Sequence, residues 1–130
     1  MIKNFEDETQ PLTEYEEITL LPVIIRGLST KVGSDNAITN AQIVSAMKGA
    51  GYKISDTRVR KLINHIRVNG FVNGLIATSG GYYIATSEKE LEEYEESLLG
   101  RECAIRAVRL SIAKQRTEMF RKTTQQSLFT

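Results

Sequence analysis

The chain has 130 residues, 41% hydrophobic and 25% charged, with a formal net charge of +1. This length accommodates one compact domain with an appended element and is short for two; near-neutrality excludes a global attraction to a polyanion and leaves the distribution of charge to decide. The lone Cys103 excludes an internal disulfide, and no apolar run approaches the roughly 20 residues needed to span a bilayer, so a soluble, cytoplasmic protein without a membrane partner is expected.

Residues 1–11 are polar and acidic, end at Pro11 and read as a flexible leader. Thr13 and Glu16 have capping-box spacing and open a first helix with apolar positions at Leu20, Leu21, Val23, Ile24 and Leu28. Pro22 lies inside that pattern; a proline is accepted in a first turn but costs about 3 kcal/mol in a helix interior, so it either kinks the helix or opens its second half, and a break near Leu20–Leu21 is the favoured reading. KVGSDNA is loop chemistry, and Ala37–Ile38 is a short strand able to pair with a later hairpin. Thr39 and Gln42 form a second capping box, with Ile38 and Ile43 in the positions of a hydrophobic staple. The short second helix shows one apolar face, Ile43, Val44 and Met47, and Gly49 with Gly51 ends it.

Ser55 caps a third helix whose apolar stripe is Val59, Leu62, Ile63 and Ile66 and whose stop is Asn69–Gly70. Only a few residues separate it from the second helix, a connection that forces a steep crossing, the helix-turn-helix arrangement. The charge of the chain is arranged in blocks, and this region is the cationic one. Residues 51–85 hold five basic side chains against Asp56 alone, whereas residues 1–50 hold four basic and seven acidic ones. At about 100° per residue the face opposite the stripe presents Thr57, Lys61 and Asn64. Lysine can read guanine and asparagine adenine in a major groove, so these three are candidate base readers. Arg58, Arg60, His65 and Arg67 flank that face, with Lys53 ahead of the helix, and are candidates for phosphate contacts. The competing reading of the same residues is a solvated polar helix face.

Phe71–Val72 and Leu75–Ala77 then read as strand, Thr78, Ser79, Gly80 and Gly81 as a turn, and Tyr82–Ile84 as the returning strand. The turn offers hydroxyls and backbone N–H groups to a phosphate but carries no Lys or Arg, so a nucleic-acid contact and a purely structural hairpin both stay open.

Ser87 and Glu90 make a third capping box, opening a helix interrupted by Gly100 alone and expected to reach about Lys122, with residues 123–130 as a flexible tail. Its first half carries Glu88, Glu90, Glu92, Glu93, Glu95 and Glu96, and its second half is mainly basic. Leu91, Leu98, Ile105, Ile112 and Met119 fall seven residues apart; three residues on, Tyr94 and Val108 suit a helix-pairing seam while Arg101 and Gln115 do not. Leu91, Leu98, Ile105, Val108, Ile112 and Met119 are therefore candidates for homodimerisation, the alternative being that the earlier ones cover the domain's own first helix.

Nothing in the chain points to catalysis. His65 is the single histidine, no Cys/His grouping suggests a metal site, and no glycine-rich phosphate loop, GxSxG or HExxH motif occurs, so no enzyme activity, cofactor, metal or small-molecule ligand is expected.

The order helix, short strand, helix, basic helix and glycine hairpin over roughly residues 13–85 resembles winged helix-turn-helix domains. More narrowly, RVRKLINHIRVNG followed by GLIATSGGYYIATSEKELEEYEESLLGRE resembles small winged-helix proteins encoded by bacterial phages and prophages, a likeness extending from about Leu12 to Val108. The resemblance implies a mainly α fold with a small β-hairpin (α+β), the winged helix-turn-helix over 12–86 and an appended long helix over 87–122. It also implies double-stranded DNA as the partner, with recognition carried by Thr57 to Arg67 and the wing by Ile76 to Tyr83. A regulatory or replication-associated role is the expected function, and a winged-helix module that binds protein instead of DNA is the alternative.

Overall fold

The computed structural model describes residues 10–129, with side chains as far as Arg121. Of the expected leader only Gln10 and Pro11 fall within that range, and Thr130 of the tail lies outside it. The fold is mainly helical with one two-stranded antiparallel sheet, an α+β architecture, and the chain divides between Leu91 and Glu92 into two compact units.

The first helix, α1, covers residues 14–28 and begins at the Thr13/Glu16 capping box. The Glu16 N–H donates to Thr13 Oγ1 at 3.1 Å and the Thr13 N–H donates to Glu16 Oε1 at 2.8 Å. The expected break near Leu20–Leu21 takes the form of a change of helix type and not of an interruption. A π-helical turn, Glu16–Leu20, runs directly into the α-helical part, Leu21–Leu28, with the Leu21 N–H donating to the Glu16 carbonyl five residues back. Pro22 has no N–H to give the carbonyl four residues before it, and widening the preceding turn accommodates this without breaking the helix. Each residue of a π turn advances the chain by less than the usual ~100°. Glu16 therefore shares the buried side of α1 with Leu20, Ile24 and Leu28.

After a single 3-10 turn, Ser34–Asn36, the helix α2, Asn40–Gly49, starts on a complete Thr39/Gln42 capping box and buries Ile43 and Met47. The helix α3, Asp56–Asn69, starts on Ser55, whose Oγ accepts from the Arg58 N–H at 3.2 Å, and ends at Gly70 in the left-handed conformation. The Phe71 N–H returns to the Ile66 carbonyl at 3.1 Å, a Schellman-type closure. That closure overrides the β propensity of Phe71–Val72, which form a bend and not the strand expected of them.

The hairpin pairs β1, Leu75–Thr78, with β2, Gly81–Ile84, in the register Leu75 to Ile84 and Thr78 to Gly81. Ile38 adds a one-residue antiparallel bridge to Tyr82, and Val32 a parallel one to Ile84, so of the short strand expected at Ala37–Ile38 only Ile38 joins the hairpin. The core of the first unit is Leu20, Ile24 and Leu28 of α1, Ile43 and Met47 of α2, Val59, Leu62, Ile63 and Ile66 of α3, with Val72, Leu75 and Ile76 closing it from the hairpin side. The last helix, α4, spans Glu88–Phe129, passing Gly100 without interruption and continuing beyond Lys122. At its start the Glu90 N–H donates to Ser87 Oγ, while Glu90 Oε1 reaches back one residue further than expected, to the Thr86 N–H. Among the described residues no helix is long and apolar enough to cross a membrane.

Candidate nucleic-acid interface

One side of α3 is committed to the core. Its stripe of Val59, Leu62, Ile63 and Ile66 is essentially inaccessible, which leaves the opposite side as the surface this helix offers. Arg60 and Asn64 are exposed there, with Lys61 and Arg67 half-buried beside them. A half-buried lysine or arginine of this kind packs its methylene stem on the helix and presents its charged end outward. The result is a face of three cations and one amide on a rigid, core-backed helix.

Two residues expected on or beside this face are turned away from it. Thr57 is 8% exposed; it lies in the first turn beside the Ser55 cap, its hydroxyl 3.3 Å from Ser55 Oγ. It is therefore not available to read a base. Arg58 is held by more partners, its side chain 16% exposed against 6% for that of Glu16. Its Nε donates to Glu16 Oε2 at 2.8 Å and its Nη2 to Oε1 at 2.6 Å, a two-point guanidinium–carboxylate clamp. Nη1 and Nη2 also donate to the carbonyls of Gln10 and Pro11. Arg58 is thus a structural residue tying α3 to α1 and to the chain entering it, and it leaves the set of phosphate-contact candidates. The hydrogen bonds from Arg58 outweigh the opposing effect of burial and hold the Glu16 carboxyl below the usual carboxylate range.

The start of α3 is braced from another direction by a chain of polar contacts. The Tyr82 hydroxyl of β2 donates to Asn40 Oδ1 at 3.3 Å; Asn40 Nδ2 donates to Asp56 Oδ1 at 2.6 Å and to the Asp56 carbonyl at 3.1 Å. Asp56 Oδ2 in turn lies 3.2 Å from Arg60 Nη2, an exposed i,i+4 ion pair. This chain joins the hairpin, the first turn of α2 and the first turn of α3. Burial pushes the Tyr82 phenol up, with the positive fields of Arg60 and Arg67 opposing the rise. The Arg60–Asp56 pair is of the exposed kind that contributes about 0.3–0.5 kcal/mol, weak enough for Arg60 to exchange Asp56 for an external anion.

The hairpin tip is smaller than expected. Thr78, Ser79 and Gly80 are exposed, but Gly81 is buried as the first residue of β2. A Cβ at Gly81 would lie 2.6 Å from the Ile38 carbonyl oxygen, and φ there is +119°, so close backbone approach and backbone conformation both require glycine. The Thr78 hydroxyl is occupied within the turn, accepting from the Gly80 N–H and donating to the Gly81 carbonyl. The accessible tip is then Ser79, Gly80 and the outer side of Thr78, all uncharged.

His65 is half-buried at the margin of the α3 face. Its ring meets Phe71 edge-on at 5.6 Å, and Asn69 Nδ2 lies 3.3 Å from its Nδ1. Lys53 is exposed just ahead of α3, its backbone N–H held by the Tyr15 hydroxyl at 3.2 Å. Among the described residues no group of three or more His, Cys, Asp or Glu side chains could hold a metal ion. An apolar cavity of about 310 Å³, lined by Val23, Ile24, Ile43, Met47 and Tyr52 among others, opens between α1 and α2; it lies within the core contacts of those helices.

In the second unit the self-association candidates are exposed: Ile105, Val108 and Ile112 are 69%, 63% and 55% exposed, and Leu98 and Met119 are exposed as well. Leu91, at the boundary of the first unit, is exposed to the same degree as Leu98.

Glu16, Asn40, Asp56 and Tyr82 are the residues that sequence reasoning did not bring to the site. Only the Asp56/Arg60 spacing carried a local signal; the others meet across 42, 16 and 42 positions. Comparison with protein-family models, curated proteins and solved structures finds no match to this chain.

Proposed function

We propose that the chain is a winged helix-turn-helix DNA-binding protein in which α3 enters a major groove, with a regulatory or replication-associated role of the kind its sequence resemblance to phage and prophage proteins suggests. A cytoplasmic location goes with that reading. The observation that carries it is the exposed side of α3, where Arg60, Lys61, Asn64 and Arg67 stand on a helix whose other side is anchored in the core. Lys61 and Asn64 are the base-reading pair, able to recognise guanine and adenine edges; Arg60 and Arg67, with Lys53, are the phosphate contacts that fix register. The hairpin acts as the wing, bracing α3 through Tyr82 and Asn40 and bringing only an uncharged tip toward the backbone.

The test is a titration of mixed-sequence duplex DNA by the full chain over a range of salt concentrations. Each phosphate contact adds about 0.9 to the slope of log affinity against log salt. An Arg60→Glu/Lys61→Glu/Arg67→Glu variant is expected to lose most of its affinity and to flatten the slope by about 2 to 3, with Arg58 left in place so that the fold survives. Equal binding by a folded variant and the wild type would overturn the proposal.

A protein-binding winged helix is the second reading, and one observation favours it: Val68 is 76% exposed and Phe71 is also exposed, at the C-terminal end of α3. An interaction centred on those residues would persist in the charge-reversed variant and fail in Val68→Asp.

A further inference from the structure

The exposed seam of α4 calls for a cover, and its charges specify one. We propose that α4 pairs with α4 of a second copy of this chain, antiparallel, with the two-fold axis close to Ile105. The inference is independent of whether α3 binds DNA.

The apolar side of the argument is the row Leu98, Ile105 and Ile112 at seven-residue spacing, with Val108 beside it, all exposed. Ala104, Ile105, Val108 and Arg109 line a shallow apolar depression in the middle of the helix. A seven-residue repeat is the period at which two helices keep one seam in contact.

Charge then decides what lies opposite. Four residues after each of Leu91, Leu98, Ile105 and Ile112, along the margin of the seam, stand Glu95, Glu102, Arg109 and Arg116. The other margin, one residue before each seam position, holds Glu90, Ser97, Ala104 and Ser111. In a parallel pair the two margins face each other, so Glu95 would meet Glu90 of the second copy while Glu102, Arg109 and Arg116 would meet Ser97, Ala104 and Ser111. That arrangement gives one repulsion, twice by symmetry, and no ion pair. In an antiparallel pair the first margin faces itself, and centring the overlap just past Ile105 brings Glu95 against Arg116 and Glu102 against Arg109, each twice by symmetry. Four opposite-charge contacts replace two like-charge contacts, and flanking charges of this kind set helix orientation.

The same alignment handles the residues that spoil a simple seam. Ile105 comes to lie beside Val108 of the second copy, while Arg101 and Gln115 each face an apolar position, Ile112 and Leu98, and not each other. Polar seam residues weaken pairing but fix its register. Cys103 falls on the outward side, two positions from the seam residue Ile105, and takes no part.

Sedimentation equilibrium of the full chain over a concentration series tests this, with circular dichroism confirming helix content in each variant. Wild type is expected to dimerise. Glu95→Arg/Glu102→Arg, and separately Arg109→Glu/Arg116→Glu, are expected to weaken the dimer about a hundredfold, four attractive contacts having become repulsive at about threefold each. The fourfold exchange combining both sets restores the antiparallel pairs and is expected to restore the dimer. A parallel dimer predicts the opposite for the first variant, since Glu95→Arg would then meet Glu90 and tighten association. That result, a monomeric wild type at all concentrations, or no rescue by the fourfold exchange would each overturn the proposal.

Discussion

The helices α3 and α4 are alike in sequence terms, each with a regular apolar stripe and a dense set of charges, yet they stand at opposite ends of a scale of commitment. The stripe of α3 is fully covered by its own chain, and the first-turn charges are held by Glu16 of α1 and Asn40 of α2. The stripe of α4 beyond Leu91 is open along its length. A buried stripe fixes where the opposite polar face points, which lets a few side chains act as a recognition surface. An open stripe leaves the helix to find its complement elsewhere.

The same substitution placed in the two helices should therefore have very different effects. Leu62→Ala in α3 removes a side chain with no exposure and is expected to cost about 4 kcal/mol in denaturant unfolding of the first unit. A loss under 1 kcal/mol would mean that α3 is not held as tightly as its burial indicates. Gly81→Ala tests the brace from the hairpin side. Its Cβ would press on the hydrogen-bonded Ile38 carbonyl at a backbone conformation alanine avoids, so a loss of about 3 kcal/mol is expected, with Tyr82 freed from Asn40 and measurable as a change in tyrosine fluorescence.

Glu16→Gln probes the brace from α1, leaving Arg58 with a neutral partner; breaking a largely buried pair of this kind costs about 3 kcal/mol near pH 7. The sign of its pH dependence follows from the carboxyl being held low in the folded state. The stabilisation is complete above the ordinary carboxylate range and is lost as pH falls through that range and then through the lowered folded value. Unfolding curves from pH 7 down to about pH 2 should converge for wild type and variant at the acid end, and parallel curves would show that Glu16 is not the acid-sensitive group.

Leu98→Ala in α4 is the counterpart of Leu62→Ala. At low protein concentration it is expected to cost no more than about 1 kcal/mol, because the side chain is already exposed, and its effect should grow with protein concentration if a second copy covers it. Smallest of all on stability is Lys61→Ala, within about 0.5 kcal/mol; its effect is expected in DNA affinity alone.

What could be read directly from the chain was whatever depends on neighbours a few residues away. The capping pairs Thr13/Glu16 and Thr39/Gln42, the stripe of α3 and the glycine stop at Gly70 are all of this kind. Ile38 was also readable as a strand residue, because it is β-branched and stands between a loop and a helix cap. What escaped depends on meetings between distant segments. Arg58 looked like a phosphate contact because its angular position is correct and its carboxylate partner lies 42 residues earlier. Thr57 has an angular position as exposed as that of Lys61, but it sits in a first turn enclosed beside the cap, where angle alone misleads. Gly81 was placed in the turn because glycine pairs commonly make turns; that it is required by the approach of Ile38 is visible only once the third segment is in place.

The widened turn ahead of Pro22 gives this proline a reach beyond its own helix. By altering the pitch of α1 it moves Glu16 from the edge to the middle of the buried side, and so determines how many cations α3 shows to solvent. In Pro22→Ala the turn is expected to relax to ordinary pitch, the Glu16 carboxyl to rise toward the usual range, and Arg58 to loosen. Carboxyl chemical shifts followed through an acid titration would register the change, and an unaltered Glu16 would assign the pitch to another cause. Surface charge on one helix would then be under remote control by ring geometry in another, a dependence that a substitution scan confined to the basic helix would miss.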